Sequence, residues 1–300
     1  MYKAIAANKR NTVIIMIIFI MIIATLGYIF SQVYGSTGIF WGTLVGASIY
    51  AFMQYFLAAR IALGVNGAKE ISKRDNPRLY RIVENLAITN GMPMPKVYII
   101  DDPAPNAFAT GRDPKHAHVA ATSGILEIMD DRELEAVMAH ELGHVKNFDI
   151  RVMMINFDIR VMMIVFGLVS AIGLIADLFL RMMWFSNDDN RSSSPIFMVL
   201  GIVAALITPF IAMLVQLAVS RQREYLADAT GAMTTRDPEG LATALEKIGQ
   251  YGSGLRRQNS STAHLFFANP LKGASIGRFF STHPPVEERV ARLRAMGNKF

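Results

Sequence analysis

Apolar residues gather into four long runs, at residues 12–30, 39–58, 161–180 and 196–218; elsewhere they thin to the periodic spacing of soluble elements. A helix of about twenty residues crosses the roughly 30 Å hydrocarbon core of a bilayer, so each run predicts a membrane-spanning helix. The first run follows a basic start with Lys3, Lys9 and Arg10, which is also the form of a signal peptide. It is too long for a signal core, no small-x-small cleavage site closes it, and a second span follows, so it reads as an uncleaved anchor. The connection 31–38 carries no charge, whereas Arg60, Lys69, Lys73 and Arg74 follow the second run and Arg221 and Arg223 the fourth. Basic flanks face the cytoplasm. Both termini and the segment after the second span are therefore expected there, with loops 31–38 and 181–195 outside. Trp184 in the outer loop is expected at the interface, Asp177 near the outer end of the third run is expected to pair with Arg181 at i+4, and Pro209 predicts a kink in the fourth span.

Between residues 66 and 150 the pattern turns soluble. Asn76-Pro77 opens a helix whose apolar face is Leu79, Ile82, Val83 and Leu86, and Asn90-Gly91 closes it. Residues 96–100 (K-V-Y-I-I) read as a strand, and 107–110 and 118–122 as two more around the turn Gly111-Arg112-Asp113-Pro114. Asp130 and Glu133 form a capping box that starts another helix, with Leu134, Val137, Met138, Leu142 and Val145 as its buried stripe. Asp237-Pro238 opens a further helix, a Gly/Ser/Asn-rich stretch covers 252–277, and a last helix follows Pro285. Four segments result: two spans in 1–65, a cytoplasmic region 66–155, two spans with their outer loop in 156–218, and a cytoplasmic C-terminal region 219–300.

The nonapeptide N-F-D-I-R-V-M-M-I at 147–155 recurs without a change at 156–164. Nine residues of helix add roughly 13 Å and about half a turn, so a rigid helix absorbs no second copy without turning its far end to the opposite face. The duplication has no functional reading in the sequence and is tolerated because 161–180 remains long enough to span.

Composition supports the membrane assignment: 52% hydrophobic residues and 18% charged, with a mean hydropathy of +0.31. The absence of cysteine excludes disulfides, thiolate zinc sites and a cysteine nucleophile. The net charge of +6 is spread along the chain and explained by membrane flanks, so nucleic acid is not an expected partner. The 18 methionines lie mostly in apolar runs, as lipid-facing or core filler rather than a copper path.

Within the capped helix stands His140-Glu141-Leu142-Gly143-His144. Residues four apart on a helix share a face, so His140 and His144 can aim ring nitrogens at one cation while Glu141, one step round, reaches a water beside it. A hydrolytic zinc takes three protein ligands and keeps a position for water. His116, His118, His264 and His283 are rivals for the third place; Glu224, in a helical context just past the fourth span, is assigned it. Asp228, at i+4 from Glu224, is placed to accept the outer N–H of a ligating histidine.

H-E-L-G-H, E-x-x-x-D two spans later, N-A-F-A-T-G at 106–111 and S-T-H-P-P-x-x-x-R-V at 281–290 together resemble the membrane-bound HtpX-type heat-shock zinc metalloproteases, relatives of the CaaX prenyl endopeptidases. The resemblance covers essentially the whole chain. It implies a mainly α integral membrane protein, with four transmembrane helices and a gluzincin-like α+β zinc peptidase domain that faces the cytoplasm of a bacterial inner membrane. It further implies one zinc ion per chain, membrane or misfolded proteins as substrates, and a role in quality control and stress response. Glu141 is the expected base, His283 and Arg289 the expected oxyanion donors. Asn106, Ala107, Phe108 and Ala109 are expected to offer an edge strand to substrate. An intramembrane-cleaving metalloprotease is disfavoured by the charged residues 130–133 and Glu135 just before the motif. A catalytically inactive membrane scaffold or chaperone partner is the alternative function, disfavoured by an intact Glu141.

Overall fold

The computed structural model describes residues 2–150, 223–251, 266–267 and 284–297. The expected third and fourth spans, the second copy of the nonapeptide, His264 and His283 lie outside the described residues. The described chain divides into two units, one holding residues 12–55 and the other holding 2–11, 56–150 and the described residues from 223 onward.

Two long helices, α1 (Tyr2–Tyr34) and α2 (Thr37–Val65), contain the first two apolar runs and extend beyond each at both ends. Within residues 12–55, Phe19, Ile23, Ala47 and Ala51 pack between them, and Gly27 gives Thr43 room that a Cβ would fill. The remaining surface is apolar too: Val13, Ile17, Met21, Trp41, Val45, Ile49 and Phe52 are exposed. Both helices are long and apolar enough to cross a membrane. Helices that are apolar inside and out suit lipid rather than water.

The other unit is built on a sheet. Strands β1 (Lys69–Glu70), β2 (Lys96–Ile100), β3 (Ala107–Gly111) and β4 (Ala117–Thr122) lie in the order β1-β2-β4-β3. The expected hairpin forms, with Phe108 opposite Ala120, and its connection includes a 3-10 turn at Pro114–His116. β2 joins β4 in parallel, Val97 beside Val119. β1 has no counterpart among the sequence expectations, because two residues paired to Ile99 and Tyr98 are too few to show alternation.

Successive strand residues point to opposite faces. Val97, Ala107, Ala109, Val119 and Ala121 therefore enter one core, shared with Leu79, Val83 and Leu86 of α3 (Pro77–Thr89) and Leu134, Val137, Met138 and Leu142 of α5 (Asp131–Lys146). Tyr98, Ile100, Phe108 and Ala120 face the other way, against Ala58, Ala62 and Leu63 near the end of α2 and against Phe266. A short helix, α4 (Ser123–Ile128), links β4 to α5.

The helix boundaries follow the expected chemistry. Asn76 accepts the Leu79 N–H at 2.9 Å with Pro77 at the first helical position, and Gly91 leaves α3 with a φ of +62°. Asp130 accepts the Glu133 N–H at 2.8 Å while Glu133 accepts the Asp130 N–H at 3.0 Å, closing the capping box on α5. Beyond the undescribed stretch come α6 (223–235), α7 (Pro238–Tyr251) and α8 (Val286–Gly297).

Candidate metal centre

α5 carries His140 and His144 on one buried face, with their Nε2 atoms 3.1 Å apart. α6 crosses close enough that a Cβ on Gly231 would stand 2.9 Å from the His140 amide nitrogen and 3.1 Å from its Cα. That approach brings in Glu224 from the start of α6. Its Oε1 lies 3.5 Å from His144 Nε2 and its Oε2 lies 3.8 Å from His140 Nε2, all within the buried interior. The three expected ligands thus form one cluster. Of their rivals, His116 is engaged by Asp113 and Arg112 on the 3-10 turn, and His118 lies on β4 beside Tyr98.

The outer nitrogens of both histidines meet carboxylates. Asp228 Oδ1 is 2.9 Å from His140 Nδ1, as expected for Asp228, and Asp149 Oδ2 is 3.0 Å from His144 Nδ1. A carboxylate accepts, so the Asp149 hydrogen bond puts a proton on His144 Nδ1, while at His140 the Nδ1 lies within 2.9 Å of Asp228 without hydrogen-bond alignment and closeness to the carboxylate favours the same tautomer. The two Nε2 atoms then face each other as lone pairs, an arrangement that requires positive charge beside both. A proton meets part of that demand. Burial opposes charge on His144, but Asp149, Glu224 and Glu141 outweigh it and raise its pKa to about 9, while burial lowers that of His140. A divalent cation meets the demand fully. Four ligands about 2.0–2.1 Å from zinc stand roughly 3.3–3.4 Å apart in a tetrahedron, within the span of the observed separations of 3.1, 3.5 and 3.8 Å. The donor set and its spacing fit zinc.

Glu141 points from the same helix toward the sheet, where its Oε2 accepts the Ala109 N–H at 2.7 Å. Burial pushes its carboxyl up to about 7; Glu224 adds to the rise, and His144, the Ala109 N–H and Arg289 counter it. A carboxylate balanced near neutrality both takes and returns a proton.

Arg289 reaches in from α8 and is fully buried. Its Nε donates to Asp228 Oδ2 at 2.9 Å and its Nη2 to Asp228 Oδ1 at 2.7 Å, while Nη1 lies 3.4 Å from both Glu224 Oε2 and the Phe267 carbonyl. Burial works against the guanidinium charge, and Asp228 and Glu224 more than restore it.

Of the expected substrate-binding residues, Asn106 and Phe108 turn their backbones to β4: the Thr122 N–H donates to the Asn106 carbonyl, and Phe108 pairs with Ala120. The backbone groups of Ala107 and Ala109 point outward from the sheet edge while their side chains stay in the core. The Ala107 carbonyl accepts the Phe267 N–H at 2.8 Å, and the Phe267 ring stands edge-on to His140 at 5.0 Å. Phe267 and Asp149 are the residues at the site that motif reasoning missed. Asp149 follows His144 by five positions, off its helical face, and Phe267 lies in a stretch without periodicity.

A mainly helical fold that assembles H-E-x-x-H and a distant glutamate into one buried cluster defines a zinc metallopeptidase. The chain belongs to Peptidase family M48, whose profile matches residues 73–297. It is 54% identical to the Protease HtpX homolog of Tropheryma whipplei (strain Twist) over 300 residues, all of both chains. With the Protease HtpX homolog of Streptococcus uberis it shares 42% over 307 positions, covering 99% of this chain and all of the relative. Among solved structures it resembles the crystal structure of S. mikatae Ste24p at a TM-score of 0.53 and 19% identity, over 91% of this chain and 62% of that one. At that identity the likeness establishes a shared fold.

Proposed function

We propose that the chain is an integral membrane endopeptidase that holds one zinc ion on His140, His144 and Glu224 and cuts peptide bonds of membrane or misfolded proteins, in protein quality control and stress response. The observation that carries this reading is the buried cluster itself, the Nε2 atoms of His140 and His144 3.1 Å apart with the Glu224 carboxylate beside them. Zinc bound there supplies a Lewis acid that polarises a carbonyl and acidifies water. Glu141 takes the proton of the attacking water and returns it to the leaving amine, its carboxylate aimed by the Ala109 N–H. Asp228 fixes the His140 tautomer. His283 and Arg289 donate to the tetrahedral oxyanion, Arg289 through Nη1, since its Nε and Nη2 are committed to Asp228. An extended substrate lies along Asn106 to Ala109, taking the Ala107 carbonyl in place of the Phe267 N–H that holds it in this structure while the Ala109 N–H stays with Glu141.

The two long apolar helices, the two further expected spans and the basic flanks support a multi-pass protein of the bacterial inner membrane, with both termini and the site in the cytoplasm. The site then stands close to the bilayer surface, because Glu224 follows the fourth expected span by a few residues.

The test is cleavage of unfolded casein by the full chain, purified in detergent and loaded with zinc. Glu141→Gln should retain zinc and lose activity by about 10²-fold or more. Equal cleavage by both proteins overturns the mechanism. A zinc-loaded wild type that leaves casein intact supports the scaffold alternative instead.

A further inference from the structure

The duplicated nonapeptide acquires a role at the metal centre. We infer that Asp149, the aspartate of its first copy, is the positioning residue for His144, holding that ligand's ring as Asp228 holds the ring of His140. The inference rests on the zinc reading of the site above.

The local backbone is what makes it work. On a continued helix, a residue five positions after His144 would lie about 140° round the axis and could not reach its ring. α5 instead ends at Lys146, Asn147 closes it with φ of −81°, and Phe148 takes a left-handed φ of +59°. The helix is broken at 147–148 before residues 149–150 turn helical again, and Asp149 Oδ2 comes to 3.0 Å from His144 Nδ1 with both side chains buried. The turn is held from several directions. Asn147 Nδ2 donates to Thr230 Oγ1 of α6 at 3.3 Å, and the Asn147 carbonyl accepts from Asn8 Nδ2 of α1 at 2.9 Å. Lys9 lies 4.2 Å above the Phe148 ring, and Ile150 is buried in the main core. Arg223, buried at the start of α6, brings positive charge toward Asp149 and Glu224.

Each residue of Asn147-Phe148-Asp149-Ile150 thus has a place, and the same four residues recur at 156–159. The sequence offers two aspartates, Asp149 and Asp158, and the structure assigns the first to His144. Deleting either copy yields the same chain, so point substitutions are needed to tell the copies apart. A ligating histidine whose outer N–H meets a carboxylate is oriented and made more basic, and losing such a partner costs about 10–100-fold in metal affinity.

The experiment measures zinc affinity by chelator competition on the full chain in detergent, for wild type, Asp149→Ala, Asp149→Asn and Asp158→Asn. Asp149→Ala should bind zinc about 10–100-fold more weakly. Asp149→Asn keeps an acceptor oxygen without the charge and should fall between Asp149→Ala and wild type, a graded rescue that simple misfolding does not produce. Asp158→Asn should match wild type. Wild-type affinity in Asp149→Ala, or the same loss in Asp158→Asn, overturns the inference while leaving the zinc reading intact. A wild type that binds no zinc overturns the zinc reading itself.

Discussion

Arg289 grips Asp228 with two parallel hydrogen bonds, at 2.9 and 2.7 Å, and Asp228 in turn meets His140 at 2.9 Å. The planar guanidinium fork matches a carboxylate in a way a lysine ammonium does not. Burial by itself would raise the Asp228 carboxyl, but Arg289 and His140 outweigh it and hold it at about 2. α8, near the C-terminus, is thereby tied to a ligand on α5 through a residue of α6.

Removing one partner of a buried pair strands the other's charge. Arg289→Met should cost about 3–5 kcal/mol of stability and release the His140 ring. Arg289→Lys keeps the charge but loses the fork, and should recover part of the stability while still binding zinc less tightly than wild type. Thermal midpoints of the zinc-free proteins, set beside their zinc stoichiometry, check both expectations. Unchanged stability in Arg289→Met would mean that the pair contributes nothing to the fold.

Much of this site was legible because its parts obey short-range rules. His140 and His144 share a face by helical spacing, and Asp130 with Glu133 announces the helix that carries them. Glu224 and Asp228 were legible by the same i+4 logic. Asp149 was not, because its position depends on the left-handed turn at Phe148, a residue type that gives no warning of positive φ. Nor was Phe267, whose link to Ala107 is a single backbone hydrogen bond across 160 positions. β1 escaped for want of length, and Gly231 gave no sign that helix would cross helix there. Long-range pairing leaves no periodic trace in the chain.

α7 begins at a carboxylate with two tasks. Asp237 accepts the Gly240 N–H at 3.0 Å, capping the helix, and receives two hydrogen bonds from Arg132 of α5. The Arg132 bonds first, and then the Gly240 N–H, hold its pKa below the ordinary 3.8 against the pull of burial. A folded-state pKa that is depressed gives stability that is complete above 3.8 and is lost as the pH falls through the lowered value. Asp237→Asn retains the cap and loses the ion pair. It should therefore cost on the order of half a kcal/mol at neutral pH, as exposed pairs do, and show a shallower loss of stability than wild type below about pH 4. Denaturation of zinc-free protein across that range isolates the effect from acid release of metal.

Two glycines at the crossing of α5 and α6 make opposite predictions. A Cβ on Gly231 would press within 2.9 Å of the His140 amide nitrogen, on backbone that cannot yield, whereas a Cβ on Gly143 would meet Ala227 and Thr230 at 3.4 Å, near ordinary contact. Gly231→Ala should push α6 off α5, costing about 1–3 kcal/mol, and draw Glu224 away from the histidines. Its zinc affinity should fall with its thermal midpoint. Gly143→Ala should be close to neutral, the tight contact offset by up to about 1 kcal/mol of helix propensity. Both substitutions add one methyl group to helices that carry ligands, so a difference between them reads the closeness of the crossing. Equal zinc affinity and stability in the two variants would show that the site does not depend on the approach at Gly231.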